Sequence, residues 1–177
     1  MKAVLDACVL YPTVLREVLL GCAHEGLYQP IWSARLLEEW RRAAERNGGP
    51  TDGALADHEA AEANRRFPKA LMPPGDEAAL WLPDPADIHV LASAVSSNAE
   101  CIVTLNLKDF PRREVSGQGV RVMHPDAQLM EWWLDAPDRL ESVVQNVQTR
   151  AATLGIDLPR RALLKRARLP RLGKALG

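Results

Sequence analysis

Short unbroken apolar runs alternate along this chain with longer stretches in which apolar residues recur every three or four positions. Ala3-Val4-Leu5 is the first run and stops abruptly at Asp6; Cys101-Ile102-Val103 is a later one, and Val120-Arg121-Val122-Met123, interrupted by one base, is a third strand candidate. Apolar residues at successive positions mark a strand covered on both faces, as in a parallel sheet. Leu27 to Trp32 is a further run, in which Pro30 predicts an edge or irregular strand.

Helical spacing fills the intervals. Val14, Leu15, Val18, Leu19, Cys22 and Ala23 form one apolar stripe before Gly26. Ser33 is placed as an N-cap for a stripe of Leu36, Leu37, Trp40 and Ala44 that stops at Asn47-Gly48-Gly49. An Ala-rich helix is expected over residues 54–66, and Met72-Pro73-Pro74-Gly75 reads as a break between two halves. Pro83-Asp84-Pro85 opens a helix whose apolar face runs from Ile88 to Val95 and ends at Asn98. His124-Pro125-Asp126 leads into helical material carrying Met130, Trp132, Trp133 and Leu134, and a last helix is expected from Pro137 to Leu154. Strands alternating with helices of this length imply an α/β fold of three layers, a mainly parallel sheet flanked by helices.

Composition narrows the class. With 177 residues, 47% of them apolar, and 22 Lys+Arg against 23 Asp+Glu, the chain has the size and balance of one soluble globular domain. No apolar stretch is long enough to span a bilayer, and no signal-peptide pattern follows Met1, so a cytoplasmic protein is expected. Cys8, Cys22 and Cys101 show no metal-site spacing and read as reduced thiols. The balanced charge hides an asymmetry. Residues 160–177 carry seven bases and no acid, which leaves a net charge of −8 on residues 1–159. Two readings of this tail stand equally: it contacts phosphates, or it docks on the acidic body.

In open parallel sheets, ligands bind beyond the carboxyl ends of the strands. Asp6 terminates one strand there and the stretch Thr104 to Asp109 another, while Glu39 and Asp87 sit near helix starts. Four carboxylates from distant positions are thus expected to meet in one cleft. Gathered acids repel one another and lose hydration, so a cation is the economical neutraliser; oxygen-only donors select Mg²⁺ or Mn²⁺ over Zn²⁺. The chemistry expected of such a set is metal-assisted phosphodiester hydrolysis.

The segments Leu5-Asp6-Ala7-Cys8-Val9-Leu10-Tyr11-Pro12, Trp32-Ser33-Ala34-Arg35-Leu36-Leu37-Glu38-Glu39, Pro83-Asp84-Pro85-Ala86-Asp87-Ile88-His89-Val90-Leu91-Ala92 and Ile102-Val103-Thr104-Leu105-Asn106-Leu107-Lys108-Asp109-Phe110-Pro111 resemble, in order and spacing, a PIN domain. The resemblance covers residues 1 to about 130, which makes 131–177 a helical extension with a basic tail, packed as part of the same unit. It implies a metal-dependent ribonuclease, of the kind found in VapC toxins of type II toxin-antitoxin pairs, with RNA as substrate, a cognate antitoxin and a homodimer. Asp6, Glu39, Asp87 and Asp109 match the four acids that hold the metal. Thr104 and Asn106 match the polar residues that orient an acid or the attacking water, and Asp84 fills a position often acidic in this subgroup. One departure stands out. The family usually has Asn two residues after the first acid, and here that place is Cys8, a weak hydrogen-bond donor. One alternative is therefore a PIN-fold binding module with weakened catalysis; another, a phosphatase-like α/β hydrolase with Asp at strand ends, is disfavoured in its haloacid-dehalogenase form, which needs Asp where Cys8 stands. Arg16 and Lys108 are further candidates for RNA contact. His89 reads as structural, and Trp132 and Trp133 as helix or dimer contacts rather than base-stacking groups.

Overall fold

In the computed structural model, which describes Met1–Gly177, five strands form one sheet: β1 (Lys2–Leu5), β2 (Gln29–Ser33), β3 (Leu71–Met72), β4 (Cys101–Val103) and β5 (Arg121–Met123). Their spatial order is β3-β2-β1-β4-β5, and every pairing is parallel. The chain builds one side of the sheet from β1 outward to β3 and then crosses back to lay β4 on the other side of β1. The order therefore reverses between β1 and β4, which are also the two most apolar strands, with Ala3, Val4, Leu5, Cys101, Ile102 and Val103 all fully buried.

β2 corrects one expectation. Pro30 does not place it at an edge, because β2 pairs with both β1 and β3. Gln29 N donates to Met1 O on the β1 side and Trp32 N to Ala70 O on the β3 side. Alternation along the strand turns the position of Pro30, like that of Trp32, toward β3, and β3 begins only opposite Trp32. The missing N–H thus removes no ladder bond. β3 itself, two residues long and stopped by Pro73-Pro74, lies where only a break was expected.

The helices follow the apolar stripes. After β1 come α1 (Ala7–Leu10) and α2 (Thr13–His24); after β2, α3 (Ala34–Gly48) and α4 (Pro50–Arg66). α5 (Ile88–Ser97) follows a 3-10 turn over Pro85–Asp87, and α6 (Arg112–Ser116) precedes β5. The remainder is helical: α7 (Pro125–Asp135), α8 (Pro137–Thr153), α9 (Arg160–Arg166) and α10 (Pro170–Leu176). Ser33 caps α3 as its sequence position implies, its hydroxyl accepting from Leu36 N at 3.2 Å. Asn98 closes α5 in the left-handed conformation that asparagine tolerates.

The chain divides into two compact units. One contains Met1–Tyr11 and Gln29–Met123, and so the whole sheet with α1 and α3 to α6; the other contains Pro12–Tyr28 and His124–Gly177. The division does not follow a single cut near residue 130, because α2 groups with the C-terminal helices. Its Gly21 lies so close to Val143 of α8 that a Cβ there would meet the valine side chain at 2.5 Å. In the same unit Tyr28 stacks on Trp132 at 4.3 Å between ring centroids, and its hydroxyl donates to Leu19 O. Trp132 is thus core, and Trp133 donates its indole N–H to Glu141.

Candidate active site

The register of β1 with β4 pairs Leu5 with Val103, so the next residues, Asp6 and Thr104, leave the sheet side by side at its carboxyl edge. Thr104 Oγ1 donates to Asp6 Oδ2 at 2.6 Å, with both residues buried. Asp6 begins α1, yet its carboxylate makes no capping bond there. Its oxygens are not consumed by local turn structure.

Cys8 belongs to the same network. Its Sγ lies 3.2 Å from Asp6 Oδ2 and 3.3 Å from Thr104 Oγ1, and accepts from Leu105 N at 3.2 Å. Burial, followed by the Asp6 charge, pushes the thiol up to about 12, so at neutral pH it is an uncharged group bridging strand-end residues. Thr104 Oγ1 also accepts from Asn106 N at 3.0 Å, which ties the loop after β4 to the same point. Asn106 enters this network through its backbone, and its side chain is exposed.

The remaining acids arrive from turns and helix starts. Asp109 ends the 3-10 turn Leu107–Asp109, which is pinned by the buried ring of Phe110 and by Asp109 N donating to Asn106 O. Asp87 ends the turn before α5, which Asp84 caps by accepting from Ala86 N at 2.9 Å. Asp84 therefore carries a structural duty as well as its charge. Asp87 reports on the whole set: its carboxyl is raised to about 6, first by burial and then by the charges of Asp6, Asp84, Asp109 and Glu39. Five acids from across the first 109 residues thus share one electrostatic environment.

Glu39 and its neighbour Glu38 diverge sharply. Glu38 is engaged by Arg41 and Arg42 on the solvent side of α3, and those contacts hold its carboxyl down at about 2. Glu39 instead meets His89 Nε2 at 2.9 Å and Arg35 Nε at 3.5 Å. His89, expected to be a plain structural residue, is buried against a candidate site acid, and its Nδ1 is buried without a hydrogen-bond partner. Arg35 also reaches Glu77 at 3.6 Å and donates to Ala86 O at 3.1 Å, linking α3 to the loop that carries Asp84 and Asp87. The His89 contact was not legible in the sequence, whereas Arg35 stands one helical turn before Glu39, a spacing that could have signalled the pair.

Of the two cations expected at RNA, Lys108 is exposed beside Asp109. Arg16 is only 2% exposed, which leaves almost no guanidinium surface for a phosphate. It is set aside as an RNA contact.

Residues 2–108 match the PIN domain family. The chain belongs to that family. Among curated proteins, a stretch of 70 residues is 40% identical to the "Putative ribonuclease VapC50" of Mycobacterium tuberculosis, covering 40% of this chain and 36% of that protein's length. The chain thus aligns with little more than a third of that relative. No solved structure matches it.

By donor chemistry the candidate acids fit a hard cation. The facing groups are carboxylates, their repulsion is already expressed in Asp87, and no zinc-type set of His and Cys competes. No three of its acidic, imidazole or thiol groups are drawn together tightly enough to form a ready-made cage.

Proposed function

We propose that this chain is a Mg²⁺- or Mn²⁺-dependent endoribonuclease and the toxin of a toxin-antitoxin pair, acting in the cytoplasm as a homodimer that a cognate antitoxin restrains. What supports the catalytic reading is that Asp6, fixed by Thr104, leaves the sheet where the strand order reverses, and that the charges of Asp6, Asp84, Asp109 and Glu39 help raise the Asp87 carboxyl. The ribonuclease description of the curated relative points the same way. No helix of the chain is long and apolar enough to cross a membrane.

Asp6, Glu39, Asp87 and Asp109 would hold the ion, which when bound neutralises the phosphodiester and lowers the pKa of water. The chain's own residues supply the positioning. Thr104 and Cys8 both bond one oxygen of Asp6, Oδ2, and so fix its carboxylate. His89 and Arg35 orient Glu39, and Asp84 holds the turn that presents Asp87. The exposed ammonium of Lys108 would meet substrate phosphate. Attack of water on phosphorus with rupture of the P–O3′ bond leaves a 5′-phosphate and a 3′-hydroxyl.

Purified chain is expected to cut structured RNA with Mn²⁺ and to stop on chelation. Asp6→Asn and Asp87→Asn should each remain folded and lose cleavage. Cutting that persists in both variants, or that ignores the chelator, would overturn the assignment.

A further inference from the structure

The seven bases of residues 160–174 lie on a short helical hairpin, α9 folded against α10. The two helices are tightly apposed: a Cβ on Gly173 would meet Arg161 O and Leu164 Cβ, each at 3.2 Å. Asp126, itself 3% exposed, anchors the start of α10 by accepting from Arg171 N at 2.9 Å and Leu172 N at 3.0 Å. The hairpin is therefore a fixed element within its unit.

Of the seven bases, only Arg160 is spent on structure, donating to Leu176 O and Gln145 Oε1. The other six, Arg161, Lys165, Arg166, Arg168, Arg171 and Lys174, are exposed and take part in no ion pair. This favours phosphate contact over docking through side-chain charge, because a tail held to the acidic body by its cations would show them paired. Folding alone also argues against the arrangement. Arg161 and Lys165 repel at i,i+4, and Arg171 and Lys174 at i,i+3. Arg160, Arg161 and Arg171 stand in first turns, where the helix dipole disfavours cations. At the corner Arg168 adopts φ 63°, a conformation suited to glycine. Lys165, Arg166 and Lys174 stand in last turns, which the dipole favours, but the like-charge spacings, the first-turn cations and the Arg168 corner all oppose stability while concentrating positive charge on one hairpin.

We propose that the α9–α10 hairpin is a second, sequence-independent RNA-binding surface that grips backbone phosphates through these six side chains. It deepens the ribonuclease reading and rests on it for the choice of RNA as the polyanion. Exposed cations on a fixed scaffold bind a phosphate backbone by displacing its condensed counterions, without reading bases.

The test uses the full chain carrying Asp87→Asn, in chelator, with labelled single-stranded RNAs of two unrelated sequences titrated at several salt concentrations. Replacing Arg161, Lys165, Arg171 and Lys174 together by Gln is expected to weaken both RNAs about tenfold or more, and equally. The slope of log affinity against log salt should fall by about 3, at roughly 0.7 for each single-strand phosphate no longer neutralised. A second variant separates binding from folding: Arg168→Gly relieves the corner, so it should melt higher yet bind RNA more weakly, with a slope lower by about 0.7. Unchanged affinity and slope in both variants would overturn the proposal, as would loss of binding to an acidic protein partner with RNA binding intact. Because binding is read in an inactive variant without metal, failure here is distinguishable from failure of the cleavage assignment.

Discussion

Thr104 and Asp6, separated by 98 positions in the chain, are joined by a 2.6 Å hydrogen bond because the strands that precede them are paired in register. The hydroxyl also accepts from Asn106 N, so one oxygen fixes both the acid and the loop behind it. Thr104→Val keeps the shape and removes both bonds. Its expected cost is about 1–2 kcal/mol of stability and a 10- to 100-fold loss of kcat/KM with Mn²⁺, a magnitude typical of groups that orient metal ligands. Thr104→Ser should restore most of the activity. Steady-state cleavage and thermal melts of the three proteins check this; a fully active valine variant would remove Thr104 from the machinery.

Asp87 links the site to pH. Its carboxyl titrates at about 6 in the folded chain against an ordinary 3.8. Between those values the folded state holds a proton that the unfolded state has released. Stability of the metal-free protein therefore falls as pH rises through that window and stays lower above it. Asp87 is partly exposed, and solvent screening reduces the effect to about 1 kcal/mol. Asp87→Asn should accordingly raise the metal-free melting temperature by about 2–4 °C at pH 7.5, flatten its pH dependence between roughly 4 and 6, and abolish cleavage. A lower melting temperature at pH 7.5 would contradict the crowding of acids.

His89 and Glu39 are expected to act as one unit. Removing the Nε2 contact in His89→Leu should lower kcat about tenfold with little change in KM, while His89→Gln, which retains an amide donor, should recover part of the loss. Combined with Glu39→Gln, His89→Leu should add nothing further, because its effect passes through the acid. Additive losses in the double variant would make His89 a packing residue only.

The three thiols should be inert in the folded chain. Cys8 and Cys22 are each pushed to about 12, chiefly by burial, and Cys101 is fully buried. The thiolate is the reactive form, so a disulfide-exchange reagent at pH 8 should titrate none of them in native protein and all three after denaturation. Rapid native labelling of Cys8 would show that its bonds to Asp6 and Thr104 do not persist in solution.

Asp126 should behave as a structural anchor of the C-terminal hairpin. Asp126→Ala leaves two buried backbone donors of α10 without acceptors and is expected to destabilise the chain by about 2 kcal/mol. Chemical denaturation measures this, and a neutral substitution would show that α10 finds another cap.

The elements were legible where a local pattern has one physical meaning. Unbroken apolar runs at Ala3–Leu5 and Cys101–Val103 admit only a strand covered on both faces, and Ser33 before a helical stripe is a cap wherever the chain goes next. β3 was not legible, since two residues carry no period and gain their bonds only from β2. Pro30 misled because a proline is excluded from a sheet only where its N–H is needed, and that depends on where a neighbouring strand begins.

The order of acids along the chain, their positions at strand ends and helix starts, and the concentration of base after residue 159 were all set by the sequence, because each follows from local periodicity or charge. That His89 meets Glu39, that Arg35 ties α3 to Glu77 and Ala86, that Arg16 is buried and that six tail cations remain unpaired were decided only by tertiary structure. The physical reason is range: periodicity and capping act within a few residues, whereas hydrogen bonds and desolvation act between groups that only the folded sheet brings together.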